Sequence, residues 1–80
     1  MDRKVFAVLW IHTDPSWKQI YNCDLPDDFR VVSPLIDHVD WAAAQVVAEG
    51  ANAIEARRGR GHWAVIFEQE WADQYLPLLQ

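Results

Sequence analysis

The chain has a single cysteine, Cys23, so no disulfide can close within it. Nor does it hold an apolar run near the roughly 18 residues a membrane-spanning helix needs. The run from Val5 to Ile11 has seven, and His12, Thr13 and Asp14 follow it without a small-residue cleavage site. No signal peptide is therefore expected, and a reducing cytoplasm is the expected setting. There is no repeat, heptad train, low-complexity tract or charge block that would divide the chain. Residues 1–80 read as one domain.

The chemical signatures are equally sparse. His12, His38 and His62 are far apart and no Cys-x-x-Cys occurs, so neither a metal nor another cofactor is expected. No glycine-rich phosphate loop and no Gly-x-Ser-x-Gly elbow is present, and Ser16 and Ser33 are the only serines. Cys23 with a histidine and an aspartate would be the one route to a thiol-dependent enzyme. A lone cysteine among strand-forming residues reads first as a small buried hydrophobe.

What the chain does have is tryptophan, five in eighty residues, and an apolar fraction of 51% that excludes general disorder. Each aromatic buries about 150–250 Å². That suits a short chain with little core, yet five indoles strain the space available. The net charge of −5 argues against a broad nucleic-acid-binding face. The charge is also segregated. Residues 24–40 hold five Asp and one Arg, a net of −4, and residues 57–60 hold three Arg and no acid.

The pattern from Lys4 to His12 is apolar on both alternating faces, as in an inner strand. Thr13–Ser16 is a turn, and Trp17–Cys23 reads as a hairpin partner strand; a short helix capped by Asp14 and opened by Pro15 competes with it. Phe29–Val32 could add a short extended piece. Ser33-Pro34 has the form of a helix start. Leu35, Val39, Ala42, Ala43 and Val46 then share one face, and Gly50 is the expected C-cap. Ala53–Arg58 reads as a strand, because Arg57 would otherwise fall on that apolar stripe. Arg58–Gly61 becomes a hairpin loop. His62–Glu68 is a further strand, and Gln69–Leu76 a short helix ended or kinked by Pro77. The expected fold is α+β: a small antiparallel sheet of about four strands, order ββαββα, with two helices on one face.

In that scheme Trp41 points away from the buried stripe, about 200° round the helix at 100° per residue. Ala44 and Ala48 would surround it, with Asp37 at its edge. An indole on a flat, acidic-edged floor is the kind of anchor that protein interfaces use. The expected partner-binding residues are therefore Trp41, Asp37 and Asp40, with Asp24, Asp27 and Asp28 beside them. The competing reading gives these aspartates turn and cap roles. Arg57, Arg58 and Arg60 with Trp63 form a second contact candidate, and a nucleic-acid-binding module is the alternative function they would serve.

The leading expectation is a non-enzymatic, small acidic binding protein. It would engage a protein or ribonucleoprotein with a basic surface and modulate or inhibit it. In size and composition alone the chain is similar to small inhibitors of phages and mobile elements, anti-CRISPR proteins among them. A homodimer is another way to satisfy surplus aromatics. No membrane partner is expected.

Overall fold

The computed structural model describes residues 4–13, 19–22, 25 and 29–79. Strand β1, Phe6–His12, lies in the middle of a three-stranded antiparallel sheet. It pairs on one side with β2, Arg30–Val39, and on the other with β3, His62–Glu68. Helix α1, Trp41–Arg58, follows β2, and helix α2, Gln69–Leu79, follows β3. The α+β class stands. The sheet has three strands rather than four, and the order is ββαβα.

The double apolar face of β1 has a direct cause. Phe6 and Val8 pack with Ala64 and Ile66 against Ala44 and Ala48 of α1. Ala7, Leu9 and Ile11 pack with Val65 and Phe67 against Ala72 of α2. The helices thus cover opposite faces, which corrects the expectation that both lie on one. A central strand covered on each side needs apolar residues at every position.

The segment expected to open a helix at Ser33-Pro34 is instead β2. Its ten residues lie opposite the seven of β1, with register shifts at three places. Each shift lets β2 run one residue ahead, a bulge. The bulges break the two-residue alternation. Residues 33, 36 and 39 are half-buried while Val32 and Leu35 are exposed, a spacing of three that imitates a helix. At the last bulge His38 takes a left-handed φ of 54°. Its N–H donates to Gln69 Oε1 at 2.8 Å, and the Gln69 N–H donates to Val5 O at 2.9 Å. Pro34 has no N–H to give and is tolerated because β2 is terminal in the sheet.

Helix α1 begins eight residues later than Ser33. Asp40 is its N-cap, accepting from the Ala43 N–H at 2.8 Å. It continues through Gly50 to Arg58 and ends on Gly59, whose φ is 64°. Gly50 is therefore interior and Gly59 the terminator. Residues 53–58 are helix, not strand, and 59–61 join a helix to a strand rather than two strands. The face that meets the sheet carries Ala44, Ala48, Asn52 and Glu55. Val46, part of the expected buried stripe, is 72% exposed. Arg57 faces solvent on the same outer side, so its charge conflicts with nothing.

Small alanines let α1 approach closely enough for one side chain to complete the sheet. Asn52 Nδ2 donates to Ala64 O at 3.0 Å, and the Ala64 N–H donates to Asn52 Oδ1 at 2.6 Å. Two residues on, the Ile66 N–H donates to Ile20 O at 2.7 Å, and the Asn22 N–H donates to Ile66 O at 3.1 Å. The outer edge of β3 is thereby closed at Ala64 and Ile66. Residues 19–22 thus run beside β3, where Tyr21 forms a parallel bridge to Ile66, and not antiparallel to β1. The rest of the expected 17–23 strand lies outside the described residues. Helix α2 carries on through Pro77 to Leu79, past the expected stop. No helix among the described residues is long and apolar enough to cross a membrane.

Two substitutions separate the faces of α1. Ala48→Leu is expected to overpack the sheet side at a cost of about 1–3 kcal/mol, while Val46→Ala stays within about 0.5 kcal/mol. Asn52→Ala strands the N–H and C=O of Ala64 and is expected to cost at least about 2 kcal/mol. Chemical denaturation followed by tryptophan fluorescence checks all three; equal effects at positions 46 and 48 would contradict this packing.

Candidate functional site

The strands and α1 share one long direction, and their ends gather charge of opposite sign. One end holds the start of β1, the ends of β2 and β3, and the first turns of both helices. Asp37, Asp40, Glu68, Glu70 and Asp73 lie there, with Lys4 as the one Lys or Arg among the described residues. The other end holds Arg30, Arg57, Arg58 and Arg60, with Glu55 as the one described acid. Helix dipoles favour this arrangement, since acids suit the N-terminal turn and cations the C-terminal turn.

At the acidic end Trp41 opens α1. It does not stand on an outward face of the helix as expected. Ala44 and Ala48 are three and seven residues on, so the same row that was read as an outer floor is the buried face, and Trp41 sits at its margin. Its ring meets Phe6 edge-on with centroids 5.2 Å apart, and Tyr21 at 5.0 Å. Phe6 and Tyr21 are themselves 6.4 Å apart. The indole remains 38% exposed on top of this pair. An aromatic held by two others keeps little freedom to lose on binding.

Polar groups surround the triad. Tyr21 Oη donates to Glu68 Oε1 at 3.2 Å, and Lys4 Nζ pairs with the same oxygen at 3.1 Å. The Lys4 hydrogen bond, then its charge, holds Glu68 below the usual glutamate range, and Glu68 in turn raises Lys4. Asp37 Oδ2 stands 3.4 Å from His38 Nδ1, with both side chains well exposed. Within α2, Gln69 Nε2 donates to Asp73 Oδ1 at 3.0 Å, while its Oε1 accepts the His38 N–H and so ties α2 to the bulge. Composition offered no sign of Gln69, because its role depends on where two elements meet.

Of the expected contact residues, Asp37, Asp40 and Trp41 are brought together, at a strand-to-helix junction instead of along one helix. Asp40 doubles as the cap. Asp24, Asp27, Asp28 and Cys23 lie outside the described residues. The arginine group is not assembled as one set with Trp63. Arg60 is committed to Glu55, donating through Nε at 3.2 Å and also through an Nη nitrogen. Arg58 lies 3.9 Å from the same carboxylate. Trp63 packs on the α2 side of the sheet, its Nε1 buried with no hydrogen-bond partner among the described residues. Among the described residues no group of three or more His, Cys, Asp or Glu side chains could hold a metal. The Glu55 side chain is 1% exposed. The Arg60 hydrogen bond outweighs burial and keeps its carboxyl below the usual glutamate range.

Comparison with protein families, with curated proteins and with solved structures finds no match to this chain.

The Glu55–Arg60 pair predicts an acid-sensitive fold. A carboxyl depressed in the folded state stabilises the protein above its unfolded value of about 4.3. That stability is lost as pH falls through the lower folded value. Glu55→Gln is expected to make the unfolding midpoint less dependent on pH between about 6 and about 3. Thermal melts across that range, followed by circular dichroism, check it, and an unchanged slope would rule it out.

Proposed function

We propose that this protein is a non-enzymatic binding protein whose acidic end docks on a basic surface of a protein or ribonucleoprotein partner and alters that partner's activity. The observation that carries the reading is Trp41, 38% exposed on Phe6 and Tyr21, at the strand-to-helix junction that also holds Asp37 and Asp40. Interfaces concentrate binding energy in an aromatic anchor surrounded by polar groups that exclude water. An indole face next to carboxylates also suits an arginine or lysine, which gains from both the ring and the charge. The acidic field would speed encounter with a basic partner.

Strand addition is a poorer mode for this sheet. The β3 edge is closed at Ala64 and Ile66, and the β2 edge is interrupted by Pro34 and three bulges. Recognition through side chains at one end of the molecule avoids both edges.

The test is affinity capture with three forms: wild type, Trp41→Ala, and Asp37→Asn with Asp40→Asn. Asparagine preserves the helix cap while removing charge. Loss of a hot-spot tryptophan costs about 2 kcal/mol or more, a drop in partner affinity of about thirtyfold. The aspartate double variant is expected to bind more weakly and with less dependence on salt. Circular dichroism confirms that each variant is folded. Equal capture by all three forms would exclude this end as the docking site.

A further inference from the structure

The opposite end carries a feature that partner docking leaves unused. Arg30, His12 and His62 stand on directly paired positions of β2, β1 and β3. All three belong to the sheet face that α1 covers, since they share parity with Phe6 and Val8. Paired positions bring Cβ atoms to within about 4.5–5.5 Å, so these side chains are immediate neighbours. The two imidazoles meet edge-on with centroids 5.7 Å apart, and Trp10 flanks His62 at 6.3 Å. Gly61 closes the row from below. Its O accepts the Thr13 N–H at 2.9 Å, and an added Cβ would stand 3.6 Å from His12 Cε1.

Like-charged groups on adjacent rungs repel. A sheet that places them there ordinarily supplies a counter-charge. The charged groups of α1 and the connecting loop at this end are Glu55, which acts electrostatically on His62, and Arg58 and Arg60, which pair with Glu55. Glu55 is the only acid among them, and it is buried and already engaged by Arg60. Arg57 and Arg58 offset the negative end of the α1 dipole. Among the described residues neither Arg30 nor His12 pairs with an acid, and Glu55 divides its charge among Arg60, His62 and Arg58.

We propose that Arg30, His12 and His62 form a binding site for a phosphate group. Arginine offers a planar fork of donors that matches phosphate oxygens, and each protonated imidazole adds an N–H on either side of the ring. A phosphate presents several acceptor oxygens and more charge than a carboxylate, which suits donors arriving from three strands. The phosphate can come from a free ion or from a nucleic-acid backbone.

Proton NMR of the histidine Cε1–H signals tests the site. His38 lies at the other end of the sheet and serves as the internal control. Inorganic phosphate and a short single-stranded DNA oligonucleotide are titrated separately at one fixed pH. His12 and His62 are expected to move together and saturably while His38 stays still. Arg30→Gln is expected to weaken that response about tenfold, and Arg30→Lys to restore part of it. A response to both probes assigns the site to an isolated phosphate group. A response to the oligonucleotide alone assigns it to a nucleic-acid backbone. Movement of His12 and His62 no larger than that of His38 with either probe, or an undiminished response in Arg30→Gln, would overturn the proposal.

Discussion

Asn52 holds the architecture together at its narrowest point. Its amide gives a donor and an acceptor to Ala64, so one helical side chain does what a fourth strand would otherwise do. For the amide to reach, the α1 backbone must lie close to the sheet, and only small residues permit that. Ala44 and Ala48 are the consequence. The same requirement sets which face of α1 is inward, carries the helix through Gly50, and brings Glu55 under Arg60 at the last turn. Removing that amide would leave two buried backbone groups unpaired in a chain whose size gives it little margin.

The two edges of the sheet are handled differently. Covering by Asn52 and by residues 20–22 closes β3. Irregularity protects β2, where bulges and Pro34 disrupt the row of groups a foreign strand would need. The bulges also place His38 beside Gln69, which joins the far end of β2 to the start of α2. The charged groups then collect at the two ends of the molecule because that is where helix turns and strand ends lie. Asp40 caps α1, Glu70 stands in the first turn of α2, and Arg57 and Arg58 occupy the last turn of α1. One end becomes an aromatic and acidic surface, the other a basic row.

The strands at residues 6–12 and 62–68, the α+β class and the start of α2 were legible in the sequence. Their signal is local: consecutive β-branched and aromatic residues, and a central strand apolar on both faces. The helix boundary was not legible. Three one-residue bulges convert the alternation of β2 into a spacing of three, and Ser33-Pro34 offers a plausible helix start. With the helix begun too early, its apolar stripe shifted to Val46, Arg57 appeared to conflict with it, and Ala53–Arg58 became a strand. The same early helix start turns Trp41 outward. Asp37, Asp40 and Trp41 stay near one another because the three are close in sequence whichever element they occupy. The row of Arg30, His12 and His62 was hidden, since residues 18 and 50 positions apart share no local pattern.

By itself, then, the sequence determined where strands could form at each end of the chain, the lack of an internal disulfide, and the segregation of charge. Those properties depend on composition and on neighbours a few residues away. Only the tertiary structure decided which face of α1 is buried, which sheet edge is closed, and how far Trp41 emerges. These follow from contacts between distant segments: the amide of Asn52 on Ala64, the bulges of β2 against β1, and the Phe6–Tyr21 pair beneath the indole. Where small residues permit a close approach, it is the partner surface, not the apolar count along the helix, that chooses the inward side.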